Sequence, residues 1–366
     1  MKIKANRDDL LGPLTQIGGV VEKRQTLPIL ANVLLNAKGD QLTITATDLE
    51  VELKTTAIAQ CEGELDFTLP ARKLIDICKA LPESASITIQ VESEKAVIRS
   101  GKSRFTLGIL PAIDYPAIEP SAIKETITIN QKIFKRLLEK TQFAMAQQDV
   151  RYYLNGLLLE VKAGVLKTVA TDGHRLAMSE VDGIADTELD IQVIIPRKAV
   201  IELIRLLNDS DDDIKIDLSG NHVRFHIGGT LFTSKLIDAR FPDYQRVMPE
   251  NADKKMIANK DLLKLSLQRA SILSNEKYRG IRFKLGKNVL QLQAHNPEQE
   301  EAEEEVEVDF NEEEIAIGFN VGYVLDVIGS LTSDEIVMML KDSNSSVMVA
   351  EQGLTKEHYV IMPMRL

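Results

Sequence analysis

Thr171-Asp172-Gly173-His174-Arg175-Leu176 is the stretch whose residue types could do chemistry. A neighbouring Asp and His offers an acid–base couple or two ligands of a metal ion. The structural alternative is that Asp172 organises a turn at Gly173 while His174 and Arg175 line a recognition surface. That alternative is favoured, because no nucleophile and no third ligand stands nearby at a recognisable spacing. The elements that must position the hexapeptide are two short apolar runs, 157–161 and 166–170, separated by Lys162-Ala163-Gly164. This pattern predicts strand, turn, strand, with the hexapeptide closing the second strand.

The chain has 366 residues, enough for two or three domains, and at 44% hydrophobic it can build real cores. There is no apolar run of membrane-spanning length and no basic-then-apolar leader, so a soluble, cytoplasmic protein is expected. Cys61 and Cys78 form no CxxC pair and are too few for a disulfide scaffold. Cys78 sits in an apolar helical pattern and reads as a small core residue. A net charge of −11 speaks against a nucleic-acid-binding surface over the whole protein. It leaves room for a local basic face, since much of the acidity is concentrated in 298–314. With no Trp and 5% aromatics, base-stacking platforms are not a general feature.

An internal repeat organises the rest. Pro70-Ala71-Arg72-Lys73-Leu74-Ile75-Asp76, Pro196-Arg197-Lys198-Ala199-Val200-Ile201-Glu202 and Asn320-Val321-Gly322-Tyr323-Val324-Leu325-Asp326 share apolar positions and one acidic residue in register. Pro70, Pro196 and Asn320 stand 126 and then 124 residues apart. Thr47-Asp48 precedes Thr171-Asp172 by 124 residues, Asn32 matches Asn155, Gly156 matches Gly280, and Asp114-Tyr115 resembles Asp243-Tyr244. This period is domain-sized and too long for a solenoid unit. The expected architecture is α+β, three tandem copies of a two-helix plus antiparallel-sheet domain over 1–124, 125–252 and 253–366.

Each copy opens with a helix. In the second, Phe134, Leu137, Leu138, Thr141 and Met145 form one face, and Lys132, Arg136 and Lys140 run along the opposite one with Lys135 beside them. The third sets Lys260, Lys264 and Gln268 against Leu262, Leu263 and Leu267, and in the first Gly12-Pro13 is expected to interrupt the pattern. The second helices place Arg72 and Lys79, and then Lys198 and Arg205, away from their apolar sides; Gly322 and Gly329 take those positions in the third. Alternating runs such as 42–45, 86–91, 96–99, 214–218, 223–227 and 336–340 read as antiparallel strands with one buried face. An acidic chain that repeats Lys and Arg on one set of helices offers a surface for a polyanion.

Beyond these patterns, the whole chain resembles the bacterial DNA sliding clamps, the beta subunits of DNA polymerase III. The residues that carry the resemblance include Thr26-Leu27-Pro28-Ile29-Leu30, Thr47-Asp48-Leu49-Glu50 and Gln148-Asp149-Val150-Arg151-Tyr152-Tyr153-Leu154-Asn155-Gly156. Thr168-Val169-Ala170-Thr171-Asp172-Gly173-His174-Arg175-Leu176, Arg240-Phe241-Pro242-Asp243-Tyr244, Ile272-Leu273-Ser274-Asn275-Glu276-Lys277 and Met362-Pro363-Met364-Arg365-Leu366 add to it. The resemblance implies the DNA clamp fold in a head-to-tail homodimeric ring. Helices line the hole, double-stranded DNA is encircled without sequence preference, and an acidic exterior discourages DNA outside. It implies no cofactor, no metal and no active site of its own.

By position, the resemblance puts DNA contacts at Arg24, Arg72, Gln148, Tyr152 and Tyr153. It puts a pocket for a short, largely apolar peptide motif at Leu154, Thr171, Gly173, His174, Arg175, Leu176, Pro242, Arg246, Val247, Tyr278, Asn320, Tyr323, Ser346, Val360, Met362, Pro363, Met364 and Arg365. Asn344 departs from the apolar residue that related clamps often carry at the pocket's edge. The implied partners are the DNA polymerase III alpha subunit, the clamp loader, other DNA polymerases and repair proteins. The ring joint would pair Lys73, Phe105 and Leu107 with Ile272, Leu273 and the carboxylates Glu298, Glu300, Glu301, Glu303 and Glu304. By composition the acidic run is a solvated loop; its place in the repeat argues that at least its start is strand.

Two other function classes compete. A metal-dependent nuclease or hydrolase would use Asp172, His174 and the 298–305 carboxylates. Against it, Asp48 repeats Asp172 in a copy with no His beside it, and no Walker, HExxH or Gly-x-Ser-x-Gly pattern is present. A scaffold without DNA is disfavoured by the repeated basic helix faces.

Overall fold

The computed structural model describes residues 1–21, 27–118, 122–353 and 356–365. The chain forms two compact units, residues 1–133 with 201–236, and residues 134–200 with 237–366. All strand pairings named below are antiparallel.

Among the described residues, the first unit holds two sheets. One orders its strands Gln60–Cys61, Lys2–Asn6, Ser86–Val91, Lys95–Ser100 and Ser103–Gly108, so the last of these is an edge. The other has eight strands and joins two repeats: Glu125–Asn130, Asp213–Leu218, His222–Ile227 and Thr230–Lys235 continue into Val51–Ile58, Gln41–Thr47, Asn32–Lys38 and Leu65–Pro70. The seam is Thr230–Lys235 against Val51–Ile58, with Leu231 opposite Lys54 and Ser234 opposite Val51. Helices α1 (Arg7–Ile17) and α2 (Ala71–Ala80) belong to this unit.

Among the described residues, the second unit has one sheet of twelve strands. Asp190–Pro196, Gly156–Lys162, Val165–Thr171 and Arg175–Asp182 continue through Glu357–Ile361, Val347–Glu351, Glu335–Leu340 and Lys254–Asn259. The order then runs Glu301–Asp309, Val289–His295, Gly280–Gly286 and Ile315–Asn320. Helices α5 (Lys260–Ala270) and α6 (Val321–Ser330) pack here, α3 (Gln131–Thr141) enters the unit at Phe134, and α4 (Arg197–Leu206) passes the boundary at Val200. In the strand Glu301–Asp309, only Val308 and Asp309 pair with Ala258 and Ile257. Among the described residues, 301–307 therefore have strand partners on one side, along 289–295.

Period decides burial within these elements. On α3, Phe134, Leu137, Leu138 and Thr141 are fully buried, and each large apolar side chain contributes about 1.5–3 kcal/mol of transfer free energy. Cys78 is fully buried on α2, as a small apolar residue would be.

Three expectations are corrected. Pro13 lies inside α1, which runs unbroken from Arg7 to Ile17. Burial of Leu10, Leu14 and Ile17 outweighs the one backbone hydrogen bond that proline forfeits. On α5 the buried stripe is Leu263, Ser266, Leu267 and Ala270, so Leu262 falls off it and is 58% exposed. Lys140 is not on an open cationic face: it is buried, because strands from the following repeat cover the helix there.

Candidate functional site

The hairpin 156–171 turns at Ala163 and Gly164, both in the left-handed region with φ of 51° and 76°, as a tight two-residue turn requires. At its far end the hexapeptide closes on itself. Thr171 Oγ1 accepts from Gly173 N at 3.0 Å and donates to Arg175 O at 2.6 Å. Asp172 Oδ1 accepts from the backbone N–H of both His174 and Arg175, at 2.9 Å each, and Oδ2 accepts from Arg175 Nε at 3.1 Å. Gly173 has φ +87°, and a Cβ there would stand 2.9 Å from Arg151 Nη1. Asp172 is thus a turn organiser with both oxygens engaged, which is the structural reading of the sequence. Among the described residues, no cluster of three or more His, Cys, Asp or Glu is arranged to hold a metal ion.

Arg175 is the hub behind the loop. Its guanidinium bonds Asp172, Asp326 and, at 2.8 Å, Phe143 O. It also lies over the rings of Tyr323 at 4.6 Å and Phe143 at 5.3 Å. His174 also stacks against Tyr323, with ring centroids 6.2 Å apart. Burial pushes the Tyr323 hydroxyl up, helped by Asp172.

Beside this loop is a cavity of about 250 Å³ lined by Leu154, Thr171, Gly173, Arg175, Leu176, Pro242, Val247, Val360 and Met362. Its floor is a buried cluster that includes Leu158, Val169, Leu176, Phe241, Tyr244 and Val360. An apolar floor with a few polar groups at the rim suits a short peptide. The structure adds Arg151, Tyr153, Asp243 and Tyr244 to the lining. All four lie inside motifs quoted from the sequence, and what revealed their place is the cavity, not their type. Tyr244 turns its hydroxyl to Glu160 Oε1 at 2.9 Å, and burial with that carboxylate beside it raises its pKa. Arg151 holds the Asp149 carboxyl down at about 2, chiefly by side-chain hydrogen bonds, and also donates to Asp172 O at 3.1 Å.

The remaining pocket residues lie around this cavity rather than in its wall. Tyr278, Met364 and Arg365 line a separate cavity of about 380 Å³ with Asn275, Gly280, His295, Asn296 and Pro297. Asn320 caps α6 and donates to Tyr278 O at 3.2 Å. Ser346 Oγ donates to Val247 O at 3.3 Å, and Arg246 pairs with Asp243 at 2.9 Å. Pro363 is half-buried between the tail's anchors: Met362 N donates to His174 O at 2.9 Å and Met364 N to Gly318 O at 2.8 Å. Asn344 is exposed, in a loop organised by Asp342.

Of the DNA-contact candidates, Arg24 falls outside the described residues. Arg72 and Gln148 are exposed; Arg72 donates to Val21 O at 3.1 Å, and Gln148 has φ +57°. Tyr152 is 57% exposed and meets Tyr153 edge-on, so it is no core residue, whereas Tyr153 turns to the cavity.

Of the joint candidates, Lys73 is exposed, Phe105 and Leu107 lie on the edge strand Ser103–Gly108, and Ile272 is 76% exposed beside half-buried Leu273. The acidic run becomes strand at Glu301. Glu298, Glu300, Glu301 and Glu303 are exposed, but Glu304 is already bound within the chain by Arg269 at 2.6 Å.

Tandem repeats of helices on antiparallel sheets, with an apolar cavity beside a structural Asp turn, are the architecture of the DNA clamp class. Models of the N-terminal, central and C-terminal domains of the DNA polymerase III beta subunit match residues 1–119, 128–243 and 245–365. The beta sliding clamps of Pseudomonas aeruginosa and Escherichia coli strain K12 are 50% and 48% identical to this chain, each over the full length of both. The crystal structure of the Pseudomonas aeruginosa DNA polymerase III subunit beta matches all of both chains with a TM-score of 0.97. A Caulobacter crescentus pol III beta structure at 37% identity, again over all of both chains, gives 0.95. The chain belongs to the DNA polymerase III beta subunit family, the bacterial sliding clamps. Members are processivity factors rather than catalysts. No described helix is long and apolar enough to cross a membrane.

Proposed function

We propose that two copies of this chain close head to tail around duplex DNA in the cytoplasm and tether the replicative polymerase and other replication and repair proteins. The observation that carries the tethering role is the apolar cavity beside the 171–175 loop. It takes a short motif from a partner: Leu176, Val247, Val360 and Met362 supply an adaptable apolar wall, and Arg151 and Thr171 stand at its polar edge. Residues at the neighbouring cavity, Tyr278, Met364 and Arg365, would meet the partner's flanking chain.

The domain joints fall near 124 and 252, with the clamp loader acting on the joint between copies. There Lys73, Phe105 and Leu107 meet Ile272, Leu273 and the Glu298, Glu300, Glu301 and Glu303 carboxylates, while Glu304 works through Arg269. Arg72, Gln148 and Tyr152 are the candidates for DNA contact, with Arg24 outside the described residues, and Tyr153, which lines the cavity, goes with the pocket. A closed ring holds DNA by topology, so a net charge of −11 is no obstacle and loose phosphate contacts permit sliding.

The test is to titrate a fluorescent Gln-Leu-Asp-Leu-Phe peptide into the protein and into Val247→Glu. Saturable binding to the first, weakened by roughly tenfold or more in the second, is expected for a buried carboxylate in an apolar wall. A folded dimer that binds no peptide would remove the pocket from the proposal.

A further inference from the structure

Lys140 is a buried cation with an unusual set of partners. Its Nζ donates to Ser330 O, the last residue of α6, at 2.5 Å. It stands 3.5 Å from a carboxylate oxygen of Glu351 and 3.5 Å from one of Glu357. Arg136, one turn earlier on α3, lies 3.7 Å from Glu357, and Glu351 is in turn fixed by the backbone N–H and hydroxyl of Thr332. Two of these partners sit on the strands Val347–Glu351 and Glu357–Ile361, and the third ends α6.

α6 has no basic residue in its last turn. Its C-terminal carbonyls are met from outside, by Lys140 and by Lys260 Nζ on Leu331 O at 3.5 Å. The rest of α6 backs the candidate pocket: Tyr323 stacks on His174 and lies under Arg175, and Asp326 pairs with Arg175. The helix is therefore a ten-residue strut held at one end by Lys140 and pressed at the other against the loop that walls the cavity.

The first unit shows that a cation is not needed to close a joint of this kind. At the repeat-equivalent positions stand Gln16, Thr55 and Thr230 in place of Lys140, Ser179 and Glu357. Gln16 Oε1 accepts from Thr55 at 3.3 Å and from Thr230 at 3.4 Å. Neutral groups hold helix to sheet there, so the buried charges of the second unit must be explained by what they do besides. Buried ion pairs seldom outperform neutral packing in stability, whereas they do fix one geometry.

We propose that Lys140 is a positioning residue for the peptide pocket. By fixing α6 along its axis, it fixes Tyr323 and Asp326 against Arg175 and so sets the shape of the 171–175 wall. The inference rests on the pocket reading above. Its test uses the full-length protein and the same fluorescent peptide, with thermal melts alongside. Lys140→Met is expected to weaken peptide binding by roughly fivefold, with Lys140→Arg restoring it. Because both act through α6, the double variant Lys140→Met, Asp326→Asn should bind no more weakly than the worse single variant. If Lys140→Met fails to fold, Glu351→Gln loosens the same cluster and carries the same expectation. A lowered melting temperature with unchanged affinity, or additive losses in the double variant, would overturn the inference. Wild-type protein that binds no peptide would instead overturn the pocket reading.

Discussion

In the loop at Thr47, the hydroxyl accepts from Leu49 N at 3.1 Å and donates to Val51 O at 2.8 Å; in the loop at Thr171, it accepts from Gly173 N at 3.0 Å and donates to Arg175 O at 2.6 Å. Asp48 Oδ1 accepts from Glu50 N and Val51 N, as Asp172 Oδ1 does from His174 N and Arg175 N. The backbone is the same device twice. The difference lies in what surrounds it. Tyr115 Oη accepts from Thr47 N at 3.2 Å beside the first loop, whereas Tyr244 bonds Glu160 and lines the cavity beside the second. The third position differs as well: Leu49 accepts φ +81° with a side chain, while Gly173 takes +87° without one. On the same turn, the second loop has its neighbouring tyrosine hydroxyl directed elsewhere, no side chain at its third position, and an aspartate that also holds the Arg175 side chain.

The strongest way to break this comparison is to give the second loop the first one's side chain. Gly173→Leu should cost about 1–2 kcal/mol from the left-handed backbone alone, with the Arg151 contact in addition, and should abolish peptide binding. The reverse change, Leu49→Gly, should leave peptide affinity untouched and shift the melt little. Equal losses in both would mean that the difference between the loops is not what makes the pocket.

A smaller effect separates the two aspartates. Asp172→Asn keeps one acceptor for the two N–H groups but loses the charge facing Arg175, so peptide affinity should fall a few-fold, on the order of 1 kcal/mol. Asp48→Asn should be close to neutral in the same assay. The smallest effect concerns pH. Asp149 is held at about 2 by Arg151, so its contribution is fully present above the ordinary carboxylate range near 4 and is lost only as pH falls through about 2. An NMR titration of the Asp149 carboxyl should show no change between pH 7 and pH 5, and a midpoint near 4 would remove the brace.

The repeat made much of this legible. That Asp48 stands where Asp172 does, without a histidine, already marked the aspartate as structural. The same logic turned an acidic run that looks like a solvated loop into the strand Glu301–Asp309. What the sequence hid depends on contacts between distant segments. Helical period places Lys140 opposite Phe134, but the strands that bury it are made more than 200 residues later. Pro13 breaks a local pattern that the core around Leu14 and Ile17 enforces. Met362 and Met364 are two residues apart yet serve different cavities, because the tail is pinned first to His174 and then to Gly318.

The one-sided strand 301–307 has a consequence for symmetry. An unpaired edge invites a second copy of itself, and a like-with-like pairing would give a closed twofold contact or the start of an aggregate. Here alternate positions along the edge are Glu301, Glu303, Glu305 and Glu307, all exposed, so two such edges repel. The edge Ser103–Gly108 carries Arg104, with Lys102 just before it, and does not share that sign. Charge thus disfavours the like-with-like contact, while an edge without that run of carboxylates, such as Ser103–Gly108, meets no such repulsion.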